Sequence, residues 1–349
     1  MTFFSSLSNA ATVYPCLNYV YYVAFALGLA KLTTVSLSFA SLLLDLFVVA
    51  KTDFAPYGSK NHTWAIVTGA SDGLGKEFAY QLAKKGFNVL LVSRTPSTLQ
   101  QLSEEIATKY SVKSLFYAMD FSDATALDTN IAGLQKLIND EKLPVSVLIN
   151  NVGKSHSIPV PFSLTTKDEL TDIITINNLA TLKFTQAVIP TLDSTVHDSK
   201  LSKKSLILTV GSFSGLLPTP MLATYSGSKA FLQNWSVSLA AELKPRNIDV
   251  YVVLAYLITS KMSKIRRSSA SIPTPKQFVT STLNNFQKRC GAQERFMTVT
   301  PYWSHALMHW AIESTVGVYS SVANKLNYNM HVSIRNRALK KAAKKAKST

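Results

Sequence analysis

Three polar residues in the second half of the chain have the types and spacing of a proton-transfer site. Tyr225 and Lys229 are four residues apart, so they share one face if the segment is helical. A fixed ammonium group favours the phenolate and would lower the tyrosine pKa from its usual value of about 10. Ser212 can donate a hydrogen bond to a carbonyl oxygen as negative charge develops on it. We therefore predict a carbonyl-reducing site with Tyr225 as general acid. A Tyr/Lys pair alone is usually a surface coincidence. Whether this pair forms a site therefore depends on the secondary-structure elements predicted around it.

A glycine-rich segment upstream predicts where a nucleotide binds. It lies between a predicted strand and a predicted helix. Glycines there permit a tight turn and let the backbone approach a pyrophosphate at the positive N-terminus of the helix. The alternative is a purely structural turn. The predicted cofactor-binding residues of this loop are Gly69, Ser71, Asp72, Gly73, Leu74 and Gly75.

The residues after the next two predicted strands indicate which nucleotide binds. Arg94 stands where an NAD enzyme would place an acid, and arginine suits a 2′-phosphate, so NADPH is favoured over NADH. Asp72 counts mildly against this choice, and an exposed arginine without a ligand is the alternative. Asp120 could bond the adenine amino group, or it could cap the segment that starts at Ser122.

The chain from residue 58 to residue 254 alternates short apolar runs with amphipathic stretches, as in βαβ units. Right-handed crossovers place helices on both faces of one sheet. We therefore predict an α/β fold, a doubly wound parallel Rossmann sheet that binds ligands at the carboxyl ends of its strands. The predicted strands are Trp64–Thr68, Asn88–Ser93, Lys113–Met119, Val145–Asn150, Ser205–Val210 and Asp249–Leu254. The predicted helices are Leu74–Lys85, Ser97–Tyr110, Ala124–Asp140, Lys167–Thr191 and Tyr225–Leu243.

Taken together, these motifs resemble the short-chain dehydrogenase/reductase family from about Thr63 to Met262. The resemblance depends on Thr68–Gly75, Asn150-Asn151-Val152-Gly153, Asn177, Ser212 and the pair Tyr225 and Lys229. It implies that Tyr225 donates the proton and that Lys229 holds the nicotinamide ribose and tunes Tyr225. Ser212 then orients the carbonyl, and Asn177 anchors a water of the proton relay.

The same resemblance implies further cofactor contacts. Asn177 is chosen over Asn178 because it stands nine residues before Gln186. Asn150 and Gly153 are expected to line the cofactor and stabilise the central strands, and Thr259 fits a contact to the nicotinamide amide. The chain departs from the family where Pro-Gly usually follows the sixth strand, which leaves the path of the loop Leu254–Thr259 open.

The N-terminal region has the composition of a membrane segment. From Val13 to Ala50 only Lys31 and Asp45 are charged. As one helix this run would be about 57 Å long, nearly twice the hydrocarbon thickness of about 30 Å. A single span near Tyr19–Leu44 is favoured over a re-entrant pair that meets near Lys31. A signal peptide would have a basic n-region, and a core helix is rarely apolar on all faces. We predict a transmembrane anchor over residues 1–55.

The net positive charge, in contrast to the basic residues themselves, lies almost entirely near the C-terminus. The formal net charge is +16, and residues 250–349 hold 16 Lys/Arg but only two Asp/Glu. Such a balance raises nucleic acid or an anionic membrane as a partner. The excess lies outside the predicted nucleotide domain, so we expect no nucleic-acid partner. The two cysteines, Cys16 and Cys290, lack metal spacing, so no metal site is expected.

The predicted domain covers residues 56–330 and ends in two further features. A basic lid is expected over 255–293, followed by an amphipathic helix over 301–322 that suits a membrane interface, a cover for the pocket or packing on the sheet's helices. Residues 331–349 form a basic tail, and its part from Arg335 carries seven basic residues and no acid. We expect that tail to be solvated and mobile.

A narrower resemblance is to the fungal reductases of very-long-chain 3-oxoacyl-CoA in microsomal fatty-acid elongation, relatives of the 17β-hydroxysteroid dehydrogenases. It depends on the anchor, Asn150–Gly153, Met262–Arg267 and Thr300–Met308. It implies NADPH-dependent reduction of a 3-oxoacyl-CoA at the endoplasmic reticulum membrane, with a cytosolic catalytic domain beside other elongation enzymes. A basic lid suits coenzyme A phosphates.

Several alternatives stay open. The same chemistry could act on a 17β-hydroxysteroid or an acyl-dihydroxyacetone phosphate, and a non-enzymatic basic membrane or nucleic-acid adaptor is a remote third reading. Lys345 and Lys347, fifth and third from the C-terminus, resemble the dilysine retrieval signal of endoplasmic reticulum proteins. That signal requires a cytosolic tail, as does the positive-inside rule.

Overall fold

A parallel sheet of seven strands forms the centre of this computed structural model, which describes residues 15–61 and 63–346. The strand order is β3-β2-β1-β4-β5-β6-β7. The order reverses between β1 and β4, and open α/β sheets bind ligands at this switch point. The strands are β1 Trp64–Thr68, β2 Asn88–Ser93, β3 Ser114–Ala118, β4 Val145–Asn150, β5 Ser205–Val210, β6 Ile248–Val253 and β7 Thr298–Val299.

Helices pack on both faces of the sheet, as right-handed βαβ crossovers require. A π-helical turn, Thr175–Leu179, joins α5 to α6. The helices are α1 Pro15–Phe47, α2 Gly73–Lys84, α3 Pro96–Tyr110, α4 Leu127–Asp140, α5 Lys167–Ile174, α6 Ala180–His197, α7 Phe213–Leu216, α8 Ala223–Leu243, α9 Pro275–Asn285, α10 Trp303–Ser314 and α11 Ser321–Ala346.

The apolar core explains why the central strands have continuous apolar runs. Every residue of β1, β2, β4 and β5 is buried, as expected when both faces of a parallel sheet are covered. The predicted α/β doubly wound fold is confirmed. Strand β7 was not predicted, because two residues are too few to show a pattern.

Helix α1 is continuous from Pro15 to Phe47, without a turn near Lys31. The structure therefore agrees with the predicted single helix and disagrees with the alternative of a re-entrant pair. Among the described residues it is the one helix long and apolar enough to cross a membrane, with a mean hydropathy of 1.6 over Asn18–Phe47. Residues 18–34 are exposed on every side. From Val35 onward, one stripe of the helix faces the domain.

The C-terminal region differs from two expectations. The helix predicted over 301–322 ends at Ser314, because the chain turns at Gly317, whose φ is +78°. From Arg335 the chain does not form an irregular tail, because it continues α11 to Ala346. Arg335 and Ala338 are partly buried, and the other described side chains beyond Arg335 are exposed, as expected for a solvated segment. Lys347 and the Lys345 side chain, and with them the proposed retrieval signal, lie outside what the structure describes.

Candidate active site

The glycine loop leads from β1 into α2. Gly69 and Gly73 have φ of +65° and +55°, a region that favours glycine. A Cβ on Gly75 would lie 2.1 Å from the Gly69 carbonyl oxygen, so Gly75 permits close packing of loop and helix. A Cβ on Gly73 would meet nothing within 4 Å. The first amides of α2 have no intrahelical acceptor and lie at its positive end, so the loop can hold an anion.

Asn151 and Thr68 join the carboxyl ends of β1 and β4 at the switch point. Thr68 Oγ1 accepts hydrogen bonds from the Asn151 and Val152 amides at 3.0 and 3.1 Å, and Asn151 Nδ2 donates to the Thr68 carbonyl at 2.9 Å. The side chain of Asn150 is committed elsewhere, since its Nδ2 donates to Thr185 Oγ1 in α6 at 2.8 Å. Asn150 thus stabilises the central strands through its side chain. The sequence analysis quoted Asn151 in a motif but did not single it out.

The end of β2 lies beside the glycine loop. Ser71 Oγ and Ser93 Oγ are 2.9 Å apart, and this hydrogen bond joins the glycine loop to the end of β2. Arg94 follows and is exposed; within residues 15–61 and 63–346 its guanidinium has no hydrogen-bond or ion-pair partner. Asp72 forms an exposed ion pair with Lys261 at 3.0 Å. Lys261 thus offsets the negative charge of Asp72, which would otherwise disfavour a 2′-phosphate nearby.

Asp120 lies just beyond β3 in a tight turn. Its Oδ1 accepts hydrogen bonds from the amide and the hydroxyl of Ser122, at 2.9 and 2.7 Å. This is the capping arrangement that the sequence left as an alternative to an adenine contact. The adenine contact stays a prediction.

Helix α8 carries Tyr225 and Lys229 on one face, against Ser212 at the end of β5. The Ser212 side chain lies close enough to the Tyr225 hydroxyl to lower its pKa. Lys229 Nζ lies 6.0 Å from the centroid of the Tyr225 ring and donates to the Val210 carbonyl at 2.9 Å. Ser212 also caps the short helix α7, accepting from the Ser214 amide at 3.1 Å. The structure therefore brings the three predicted catalytic residues together.

Burial dominates the electrostatics of this group. It raises the pKa of Tyr225, while the nearby Ser212 hydroxyl lowers the same pKa by a smaller amount. Burial also lowers the pKa of Lys229 to about 8. The expected lowering of the Tyr225 pKa by Lys229 is not found, because desolvation disfavours both charged forms. The phenol is held protonated at neutral pH, which suits a proton donor.

Asn177 lies fully buried in the π-helical turn between α5 and α6. Its Oδ1 accepts from the Lys154 amide at 2.7 Å, and its Nδ2 donates to the Lys154 carbonyl and Ser228 Oγ, both at 2.9 Å. π-helical turns are frequent at functional sites. A Cβ on Gly153 would lie 3.5 Å from both Asn177 Oδ1 and Lys229 Nζ. Gly153 thus leaves a gap between these two polar groups.

The segment after β6 forms a lid of two tight turns over residues 260–274. Thr259, at its start, donates its amide to the Pro273 carbonyl at 3.1 Å. Bridges join Ser260 to Ile265 and Ser269 to Ile272. Lys264 Nζ donates to the Ser157 carbonyl on the opposite side at 2.6 Å.

The predicted basic lid over 255–293 is wrong in its second half. Residues 275–285 form α9, which packs on α2. Lys288 Nζ donates to the carbonyls of Asp45 and Val49, at 3.2 and 2.8 Å. This lysine caps the C-terminal end of α1, where carbonyl groups lack intrahelical partners.

Helix α11 crosses the rim of the cleft, which the sequence analysis missed. Asn327 Nδ2 donates to the Pro218 carbonyl at 3.0 Å, and Arg335 Nη1 donates to the Pro159 carbonyl at 2.7 Å. The Tyr256 hydroxyl lies 3.8 Å from Met330 Sδ. The apolar and amide residues at three- and four-residue spacing in this basic stretch were the available signal.

Across the described ranges, 15–61 and 63–346, no group of three or more His, Cys, Asp and Glu side chains could hold a metal ion.

Comparisons with known proteins agree with this geometry. The family described as short chain dehydrogenase matches residues 63–270. A very-long-chain 3-oxoacyl-CoA reductase of Debaryomyces hansenii is 62% identical over 93% of this chain and 92% of its own length. One from Lodderomyces elongisporus is 60% identical over 92% and 90%. A solved 7β-hydroxysteroid dehydrogenase has a TM-score of 0.61 at 19% identity, covering 77% of this chain and 96% of its own.

Proposed function

The chain belongs to the short-chain dehydrogenase family, and on that premise we propose that it reduces very-long-chain 3-oxoacyl-CoA to the 3-hydroxyacyl-CoA with NADPH. Relatives that share about three fifths of their residues with it, over nearly the whole chain, carry that reductase name. One structural observation supports the chemistry above all. The phenol of Tyr225 is buried beside the Ser212 side chain, and its ring centroid lies 6.0 Å from Lys229 Nζ.

The residues around the switch point fit a nicotinamide dinucleotide. Gly73 leaves open space before the N-terminus of α2, and Gly153 leaves a gap bounded by Lys229 Nζ. The glycine loop would hold the pyrophosphate, and Arg94 would pair with a 2′-phosphate. Lys229 would hold the ribose of the nicotinamide. Bound NADPH would supply the hydride.

The chain's own residues then act on the substrate oxygen. Ser212 Oγ and the Tyr225 hydroxyl donate hydrogen bonds to the 3-oxo group and stabilise the charge that develops on it. The Tyr225 proton passes to this oxygen, which becomes the 3-hydroxyl group. The nearby ammonium of Lys229 stabilises the phenolate that remains. Asn177 positions the turn at Gly153 and Lys154.

The lid supports a coenzyme A substrate. Arg266 and Arg267 are exposed in it, and Lys264 joins it to the loop after β4. Guanidinium and ammonium groups bind phosphates by charge-assisted hydrogen bonds. They are placed to bind the phosphates of coenzyme A at the mouth of the cleft.

The proposed location is supported by the long apolar helix α1 and by the basic residues of the C-terminal region. Helix α1 spans the endoplasmic reticulum membrane, and the catalytic domain faces the cytosol, where basic flanks are favoured. The C-terminal Lys345 and Lys347 act as the retrieval signal. In this place the enzyme works beside the other enzymes of fatty-acid elongation.

The test is NADPH oxidation by the reconstituted full-length protein with long-chain 3-oxoacyl-CoA. Tyr225→Phe should lower kcat by about 10²-fold or more. Tyr110→Phe, at the end of α3 and away from the cleft, is the matched control and should keep full activity. Full activity of Tyr225→Phe would overturn the mechanism. A higher kcat/KM for a 17-oxosteroid or an acyl-dihydroxyacetone phosphate would overturn the substrate.

A further inference from the structure

The connection between α10 and α11 carries apolar residues that have no partner within the described chain. Val316 and Tyr319 lie in the connection, and Val322 and Leu326 lie one turn apart at the start of α11. Their side chains are 47%, 84%, 58% and 67% exposed. Exposed apolar groups that cluster in this way mark an interaction surface.

The two ends of the α1–α10 contact show how this connection lies relative to α1. Near the end of α1, Asp45 Oδ2 accepts from the Cys290 amide at 3.3 Å. The next residue, Gly291, packs so tightly on Ala306 that a Cβ there would lie 2.4 Å from the Ala306 carbonyl oxygen. Trp310, one turn further along α10, donates its Nε1 hydrogen to Ser38 Oγ at 3.1 Å. Helix α10 therefore runs toward the N-terminal, apolar end of α1.

This direction sets the level of the connection along α1. Thr315 is five residues beyond Trp310, or about 7 Å at the usual helical rise. The same distance from Ser38 toward the N-terminus reaches about Thr33. There α1 is exposed on all sides. The connection thus lies beside the segment that has the composition of a membrane span.

The span itself fits this level. Residues 18–37, which precede the contact with Trp310, make about 30 Å of helix, the thickness of a hydrocarbon core. A bilayer that covers them begins near Ser38 and includes the level of Val316 and Tyr319 to a depth of about 5–10 Å, which is typical of interfacial insertion.

The local charge also favours a lipid surface. The chain from residue 314 to residue 349 has no Asp or Glu. Lys325 is exposed between Val322 and Leu326. An apolar patch with a basic flank is the pattern of an interfacial membrane contact.

We infer that the apolar surface formed by Val316, Tyr319, Val322 and Leu326 inserts into the same bilayer leaflet that α1 leaves, as a second membrane contact. This inference rests on the proposed membrane position of α1. The second contact adds to the constraint that α1, packed on the domain, already places on its orientation. Asn327 and Met330, next along α11, lie at the rim of the cleft, so the entrance lies beside the membrane surface, where an acyl tail is dissolved.

The experiment places one fluorophore at a time on the full-length protein in vesicles of phosphatidylcholine and phosphatidylserine. A polarity-sensitive label is attached to Tyr319→Cys, Leu27→Cys or Gln101→Cys in a Cys16→Ser background. Cys290 is buried, and burial raises its pKa to about 12, so it stays unlabelled. Gln101 is exposed on α3, at the opposite edge of the sheet from β7.

Lipids with a nitroxide on the acyl chain should quench the labels at 27 and 319, at least about twofold more than the label at 101. Quenching at 27 but not at 319 would overturn the second contact and leave the proposed function intact. Without quenching at 27, the membrane position of α1 and this inference both fail.

A functional arm uses Tyr319→Asp combined with Val322→Asp. In vesicles this variant should raise KM for long-chain 3-oxoacyl-CoA by about 3–10-fold and leave kinetics with a short, water-soluble 3-oxoacyl-CoA unchanged. The matched control is Leu339→Asp, an exposed position further along α11. Equal KM values with the long substrate for the unmodified protein, the double variant and Leu339→Asp would contradict the inference.

Discussion

Burial at the site has opposite consequences for Tyr225 and Lys229. It raises the pKa of the phenol and lowers the pKa of the ammonium group to about 8, so both groups are pushed toward their neutral forms. The phenol keeps its proton at neutral pH and can donate it. The charged form of Lys229 is destabilised by its burial. The site therefore keeps a destabilised cation for its chemistry, as functional sites often do.

A pH-dependence of stability follows for the cofactor-free protein. The Lys229 pKa of about 8 lies below the usual value of about 10.4 for an unfolded chain. Between these values the unfolded state binds more protons, so stability rises with pH, by up to about 1.4 kcal/mol per pH unit. Lys229→Met should abolish reduction and flatten this rise between pH 8 and 9.5. Denaturant unfolding at several pH values measures how the free energy of unfolding depends on pH.

A control separates Lys229 from other groups that titrate nearby. Lys244→Met changes an exposed lysine in the turn after α8 and should leave the slope as in the unmodified protein. Identical slopes for Lys229→Met and the unmodified protein would show that Lys229 is not desolvated.

Arg94 is predicted to determine the choice between the two nicotinamide dinucleotides. Its guanidinium is exposed beside the glycine loop, and Asp72 is neutralised by Lys261. Arg94→Ala should lower kcat/KM for NADPH by about 10–100-fold, the value of one or two charge-assisted hydrogen bonds, with little change for NADH. Lys109→Ala on α3 is the control. An equal loss with both cofactors would exclude a 2′-phosphate contact.

At the scale of elements, the parts that a local pattern determines were predictable. Apolar runs gave six strands to within about two residues, and the glycine spacing gave the turn before α2. The π-helical turn at Asn177 and the two residues of β7 depend on contacts with distant segments. No hydrophobic periodicity in the local sequence therefore predicts them. The same holds for α11, whose basic composition suggested a solvated tail although one stripe of it packs on the cleft rim.

Helix α10 is predicted to hold the lid in place. Ser304 Oγ donates to the Ala270 carbonyl at 2.9 Å, and His305 Nε2 lies 3.1 Å from the Ser271 carbonyl. Burial lowers the pKa of His305 to about 4, so the imidazole is neutral at pH 7. His305→Leu should raise KM for the acyl-CoA several-fold and leave KM for NADPH unchanged.

The conservative variant His305→Gln tests the cause, because its amide can replace the Nε2 donor. It should return KM for the acyl-CoA most of the way from the raised value of His305→Leu to the value of the unmodified protein. Failure of both variants to change KM would show that the lid does not depend on this bond.

At the scale of the whole molecule, helix α1 is part of the folded domain rather than a separate appendage. The side chain of Leu42 is fully buried, and Phe39 packs against Trp310 with ring centroids 4.7 Å apart. Asp45 and Lys288 add polar contacts at the end of α1. The positive C-terminal region thus serves three places: the lid, the junction with α1 and the face of α11.

Two truncations should therefore behave differently. Removing residues 1–34 takes away only residues that are exposed where the structure describes them, so the remaining domain should keep its Tm within about 2 °C. Removing residues 1–50 also deletes Leu42 and Phe39. One buried leucine contributes about 1.5–3 kcal/mol and one aromatic pair about 0.5–1.5 kcal/mol. The Tm should fall by roughly 4–18 °C at about 2–4 °C per kcal/mol. Calorimetry of both proteins in detergent measures the difference, and equal melting temperatures would show that α1 is an independent tether.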